Sequence, residues 1–341
     1  MEPVIVGIDG GLESVTVTVV NGRCERLVEP VSYANTLDGY EQLLANLESF
    51  SDDALLFCVE NTGVYTETLC YFLDQRGYRV ALVDPLRVSR TSRDPGDKND
   101  KLDSGKIAEY GARYIDTLRL WRPNEEAVEQ IRVLLRTREQ LVKQRTALKN
   151  LLKSLKRKYI QTPTANQTVS ETIDHLNEQI KHVEKEIGRI IAEHPVMAEA
   201  VTLVRSIKGV GLLLAAHVAV MTKGFALRLK YTSTAAYLGI SPREYQSGKT
   251  VYRRPKSRQY GPAMMRKLLH LSARSLIISD PRHRQYYLRK QAEGKPRQLI
   301  LNNIANKQLR VVCAVLHSGI PYSENYRSLN PRLLQKHLTK P

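Results

Sequence analysis

Four carboxylates stand where a folded chain could gather them. Asp9 closes the β-branched run "VIVGID", Glu60 closes the apolar run "ALLFCVE", and Asp100 and Asp103 lie three apart in "GDKNDKLDSGKIAEY". Residues three apart on a helix share a face, and carboxylates brought close repel one another unless a cation neutralises them. Oxygen ligands of this kind suit Mg2+ or Mn2+. Such ions can clamp the attacking and leaving oxygens of a phosphoryl transfer. Each acid also has a plainer reading. An Asp ending a strand is an ordinary turn residue, and Asp100 could cap a helix that Asp103 begins.

The elements around these acids can position them. "VIVGID" and "VTVTVV" are β-branched runs joined by a short glycine-containing turn, which predicts an antiparallel hairpin. "RLVEPVSYA" predicts a third strand and "LDGYEQLLANLESF" a helix. "ALLFCVE" is apolar throughout, as a strand covered on both faces must be. A helix over 64–76 and a strand over 78–84, stopped by Pro85, complete the order β-β-β-α-β-α-β. That order predicts an α/β domain over 1–123 with a mixed five-stranded sheet and helices on both faces. If the first strand pairs with the fourth, Asp9 and Glu60 become neighbours.

From residue 124 the texture changes. "NEEAVEQIRVLLRTREQLVKQRTALKNLLKSLKRKY" is a long run of good helix formers without Gly or Pro. After the polar stretch 161–170, Ile173, Leu176, Ile180, Val183, Ile187 and Ile190 recur in steps of three and four, which is a heptad seam. Residues 124–195 are therefore expected to form a helical hairpin or a coiled coil joining copies of the chain, closed by Pro195. A mainly α-helical domain is expected over 196–322, and a polar tail over 323–341.

The 341-residue chain carries a formal net charge of +17, with 52 Lys and Arg against 35 Asp and Glu. Residues 247–310 hold 16 of those cations and only two acids, Asp280 and Glu293. A surplus so concentrated points to a polyanionic partner, because neutralised phosphates release counterions. "IKGVG" resembles a helix-hairpin-helix turn, with Lys208, Gly209 and Gly211 placed to approach a phosphate; a plain glycine-rich connection is the alternative. "REYQSGKTVYRRPKSRQYG" interleaves aromatic and basic residues, as nucleic-acid backbone contact and base stacking require. Its candidates are Arg243, Tyr245, Lys249, Arg253, Arg254, Lys256 and Arg258, joined by Arg266 and Lys267 on the next amphipathic stretch. Within it, Ser247-Gly248 taken alone is a turn.

Other residue types are quieter. Cys24, Cys58, Cys70 and Cys313 are scattered, without the spacing of a zinc site or a disulfide framework. His217, His270 and His283 show no partner in the sequence. There is no apolar run long enough to span a bilayer, and the acidic start "MEPVIVGIDG" is unlike a signal peptide. A cytoplasmic, nucleoid-associated protein without a membrane partner is expected.

The residues also carry a resemblance. "GID", "VENTGVY" and "KNDKLDSGKIAEY" resemble the DEDD tetrad of the DEDD-type insertion-sequence transposases, which include pilin-gene DNA invertases and RNA-guided bridge recombinases. "SIKGVGLLLAAHVAV", "FALRLKYTSTAAYLGISPREYQSGKTVYR" and "GPAMMRKLLHLSA" resemble that family's second domain, in the same order. The likeness spans about residues 4–322. It implies a RuvC-like, RNase H-type N-terminal domain, with Mg2+ or Mn2+ held by Asp9, Glu60, Asp100 and Asp103. It implies that Ser247, in Tyr245-Gln246-Ser247-Gly248, is the nucleophile that attacks DNA, forming a covalent phosphoserine intermediate. It further implies donor and target double-stranded DNA, a noncoding guide RNA from the element's end, and a dimer or tetramer joined through the coiled coil. The chain departs from the family pattern in three places. "GIDGGLES" supplies no Lys just after Asp9, Ser104 replaces the usual Ala after the last Asp, and "ENTG" stands for "EATG".

The expected function is transposition or site-specific DNA recombination, with inversion as a variant of it. A metal-dependent nuclease or Holliday-junction resolvase is the alternative within enzymes, and would not need Ser247. A DNA- or RNA-binding architectural protein is the alternative outside them.

Overall fold

The computed structural model describes residues 2–61, 63–91, 100–247, 251–257 and 261–324. For Asp100, Lys101, 243–247 and 251–256 it describes the backbone alone. The chain divides into two compact units, Met1–Pro123 and Asn124–Pro341.

The first unit runs β1 (Val4–Gly10), β2 (Ser14–Asn21), β3 (Arg26–Ala34), α1 (Leu37–Ala45), β4 (Leu55–Glu60), α2 (Val64–Gln75), β5 (Arg79–Val83), α3 (Pro85–Thr91) and α4 (Asp100–Arg113). The strands form a mixed five-stranded sheet in the order β3-β2-β1-β4-β5. β2 is antiparallel to β1 and β3, while β4 is parallel to β1 and β5. This is the sheet that the element order predicts. Side chains alternate between its faces, and both faces are apolar. Val4, Val6, Ile8, Phe57 and Val59 pack under α1 and α2 with Tyr40, Leu43, Leu69 and Leu73. Ile5, Leu56, Cys58, Ala81 and Val83 pack with Ile107, Ala108 and Ala112 of α4. Pro85 ends the strand region by starting α3, since its fixed φ suits the first turn of a helix.

The second unit runs α5 (Glu126–Leu155), α6 (Pro163–Glu193), α7 (Pro195–Arg205), α8 (Leu212–Met221), α9 (Tyr231–Tyr237), β6 (Pro242–Ser247), β7 (Val251–Ser257), α10 (Ala263–Ser279), α11 (Pro281–Ala292) and α12 (Arg297–Ser318). Two features of these helices matter here. First, α6 begins at Pro163, so most of the polar stretch 161–170 is helical. Proline at the first helical position costs no hydrogen bond. Second, α5 and α6 are not a module separate from the later helices. Ala127, Ile131 and Leu135 of α5 and Val183, Ile187 and Ile190 of α6 share one core with Val201, Leu214, Leu269, Ile304 and Leu309.

The seam resolves as a hairpin within the chain. Ile173, Leu176, Ile180, Val183, Ile187 and Ile190 are all buried. Cross-helix polar contacts set the register: Arg138 Nε donates to Glu184 Oε1 at 2.6 Å, and Arg145 Nη1 to Asn177 Oδ1 at 2.9 Å. Within the single chain this stripe is covered by α5. Among the described residues no helix is long and apolar enough to cross a membrane.

Candidate functional site

The parallel pairing of β1 with β4 places Ile8 opposite Val59. Asp9 and Glu60 come directly after them, at the same end of adjacent strands. Alternation sets their face as well. Ile5, Gly7 and Asp9 lie on one side of β1, and Leu56, Cys58 and Glu60 on the same side of β4. That is the side α4 covers. Both carboxylates are half-buried.

Two glycines let α4 lie directly on the strands. A Cβ at position 7 would sit 2.3 Å from the Ala108 backbone nitrogen and 2.4 Å from the Ser104 carbonyl oxygen. A Cβ at position 111 would meet Cys58 Sγ at 2.5 Å and Ile5 Cγ2 at 2.7 Å. Between these contacts Ser104, fully buried, hydrogen-bonds through its hydroxyl to Thr18 Oγ1 of β2 at 2.8 Å. The departure from the family's Ala is thus a polar clasp between helix and sheet. Asp103, one residue before it, accepts a hydrogen bond from Lys106 Nζ at 2.9 Å, with both side chains about one quarter exposed. The segment "GIDGGLES" around Asp9 has no lysine, but α4 supplies a cation to this acidic edge.

The structure therefore brings Asp9 and Glu60 together at the strand ends and carries Asp103 on the helix packed over them. Asp100 begins α4, one turn before Asp103; its side chain lies outside the described residues. Among the described residues, no three Asp, Glu, His or Cys side chains converge closely enough to hold a metal ion. The donor chemistry nevertheless fits Mg2+. That ion is typically held by one or two carboxylates together with water and substrate phosphate, and Asp9 and Glu60 form such a pair.

Three of the four thiols are unsuited to act as nucleophiles. Burial pushes Cys58 and Cys70 up to about 12 and Cys313 up to about 11. They remain protonated near neutral pH, and the thiolate is the reactive form.

In the second unit, Ser247 ends β6 and pairs with Val251 at the tip of an antiparallel hairpin whose base joins Pro242 to Ser257. Arg243 and Tyr245 lie on β6, and Arg253, Arg254 and Lys256 on β7. Their side chains, with residues Lys249 and Arg258 altogether, lie outside the described residues.

Lys208, Gly209 and Gly211 form the turn between α7 and α8. Gly209 has φ +79° and faces Ser272 Oγ of α10, so both conformation and space require glycine there. Gly211 has φ −94° and caps α8. The turn is tied down: Gln308 Nε2 donates to the Lys208 carbonyl at 2.7 Å, and the Lys208 ammonium pairs with Glu324. Arg266 Nη1 donates to the carbonyls of Gly261 at 2.9 Å and Leu238 at 3.2 Å, while Lys267 is exposed on α10.

Two histidines have partners after all. His283 Nδ1 lies 2.9 Å from Asp280 Oδ2, and His270 hydrogen-bonds Asn302. The His270 contact is invisible in sequence, because Asn302 comes from a helix 32 residues further on. Sequence reasoning also missed Arg274 and Arg297, which border a cavity with Arg266 and Lys267. The spacing of Lys267 and Arg274 on one helix face was the available signal; nothing local announces Arg297.

Known proteins resemble the chain in both units. Residues 6–160 match a family model described as transposase, of the IS110 DEDD type, and residues 201–288 match the transposase IS116/IS110/IS902 family. The pilin gene-inverting protein of Moraxella bovis is 25% identical over 304 residues, covering 86% of this chain and 90% of that protein. The transposase for insertion sequence element IS1111A of Coxiella burnetii is 26% identical over 266 residues, covering 70% and 72%. Among solved structures, T. thermophilus RuvC in complex with a Holliday junction substrate matches 35% of this chain and 99% of its own, at 15% identity and a TM-score of 0.28.

Proposed function

Since the chain belongs to the IS110/IS116 family of transposases, we propose that it cuts and rejoins DNA through a serine-linked intermediate, with an acidic edge that serves phosphoryl transfer. The observation that carries this reading is the placement of Asp9 and Glu60 at neighbouring ends of β1 and β4, on the face that α4 covers with Asp103.

In this reading Asp9, Glu60, Asp100 and Asp103 would hold Mg2+ or Mn2+, which would supply stabilisation of negative charge on the phosphate oxygens. Ser247 ends β6 at the tip of the two-stranded hairpin. Its hydroxyl oxygen forms a bond to a backbone phosphorus as one bond from that phosphorus to a sugar oxygen breaks. The hydroxyl proton ends on the departing sugar oxygen. Attack by a sugar hydroxyl of the strand to be joined reverses the exchange and restores the serine. Lys106 holds Asp103 in place and moderates repulsion along the acidic edge. The RuvC-like assignment of the first unit, a noncoding guide RNA that selects donor and target, and assembly as a dimer or tetramer belong to the same reading.

The likeness to pilin gene-inverting proteins over most of both chains favours inversion of a DNA segment as a second form of the same chemistry. The test is common to both. The protein is incubated with Mg2+ and DNA bearing its own element ends, and protein joined covalently to a DNA end is sought. The adduct is expected with the native chain and absent in Ser247→Ala. Cleavage that leaves water-terminated ends and persists in Ser247→Ala would instead establish a nuclease.

A further inference from the structure

A cavity of about 840 Å3 opens on the second unit between α10, α12 and the base of the β6–β7 hairpin. Its lining brings together Arg266, Lys267, Arg274 and Arg297, with His270 and Asn302 beside them, and none of the described lining residues is acidic. Lys267, His270 and Arg274 fall on one face of α10, at positions i, i+3 and i+7. Arg297 enters from the first turn of α12.

Among the described residues, Lys267, Arg274 and Arg297 form no ion pair. Lys208 and Arg282, elsewhere in the unit, are both matched by Glu324. Burial holds His270 below the usual histidine range, with the Asn302 hydrogen bond opposing, so it adds a polar contact without adding repulsion.

The spacing points to a chain of anions. Seven residues of helix separate Lys267 from Arg274, about 10.5 Å at about 1.5 Å each. That exceeds one phosphate group and matches about three steps of a duplex rising about 3.4 Å per base pair. Ser257 lines the cavity and pairs with Pro242 at the hairpin base. Five strand residues then lead to Ser247, about 17 Å away at about 3.3 Å each.

We infer that this cavity is a clamp for the phosphodiester backbone of a nucleic-acid strand, seated about five base-pair steps from the bond that Ser247 attacks. Arg274 and Arg297 are its principal contacts, Lys267 extends the row, and Arg266, anchored on two carbonyls, sets the floor. The clamp rests on the proposed DNA chemistry for its substrate, but its action is binding and needs no serine.

The test measures equilibrium binding of the full chain to duplex DNA, and separately to single-stranded RNA, across a salt series. In Arg274→Gln/Arg297→Gln the slope of log affinity against log salt is expected to fall by about 1.8 on the duplex or about 1.4 on the single strand. Which nucleic acid shows the loss identifies the strand held. Arg274→Lys/Arg297→Lys is expected to retain the native slope. An unchanged slope on both nucleic acids in the glutamine variant overturns the clamp, as does an equal loss in the lysine variant. Covalent adduct formation, read in parallel, separates the two ideas: adduct with no slope change removes the clamp alone.

Discussion

Gly7 of β1 and Ala108 of α4 approach so closely that a single Cβ on residue 7 would lie 2.3 Å from the Ala108 backbone nitrogen. The contact is backbone on backbone, and no flexible side chain can yield. Gly7→Ala is therefore expected to lift α4 from the sheet, at a cost of about 1–3 kcal/mol or more. Because α4 carries Asp103, DNA cleavage should fall further than stability alone explains. Urea denaturation alongside a cleavage assay measures both. A fully stable, fully active Gly7→Ala would refute the close fit.

The Ser104–Thr18 clasp makes a second prediction. Ser104→Ala strands the Thr18 hydroxyl inside the domain and is expected to cost about 1–3 kcal/mol. Ser104→Ala/Thr18→Val removes both partners and should regain much of that loss. A double-mutant cycle gives the coupling; additive losses would mean the two hydroxyls do not depend on each other.

Lys106 bears on the metal. It is the cation seen beside Asp103, so removing it leaves the acidic edge less compensated. In Lys106→Met, added Mg2+ should raise the melting temperature more than in the native chain, since a ligand that binds only the folded state stabilises it by mass action. An identical Mg2+ response in both proteins counts against a metal at this edge.

The hairpin seam predicts a stability effect without an assembly effect. Ile187 is fully buried in the shared core, and Ile187→Ala is expected to cost about 2–5 kcal/mol. Its mass in solution should equal that of the native chain, because the seam closes within one chain. Light scattering that shows dissociation of a dimer by this change alone would return the seam to an interface between copies.

His217 gives a pH dependence. Burial lowers it to about 4, with Glu139 opposing and Arg138 lowering it further. The unfolded chain, with a histidine near its ordinary value of about 6.5, takes up the proton first as pH falls. The resulting destabilisation is absent above that value and grows as pH drops toward 4. His217→Gln should remove up to about 3 kcal/mol of this dependence. Equal slopes of stability against pH in the two proteins would show that His217 is solvated.

Much of this was legible in the residues. Apolar alternation and glycine turns foretold the five-stranded sheet, since strand periodicity is a local property. The ends of "VIVGID" and "ALLFCVE" placed Asp9 and Glu60 at strand termini, and the three-residue spacing put Asp100 and Asp103 on one helix. The heptad steps identified the seam, but periodicity states only that a stripe must be covered and not by which chain.

What the tertiary structure decided were relations between distant segments. It paired β1 with β4, covered the seam with α5 of the same chain, and merged the hairpin into the core of the later helices. It joined Ser104 to Thr18 across 86 residues, and it set Arg297 beside Arg274. Spacing along the chain carries the period of one element; which elements meet depends on burying all their apolar faces at once, and that balance exists only in the folded whole.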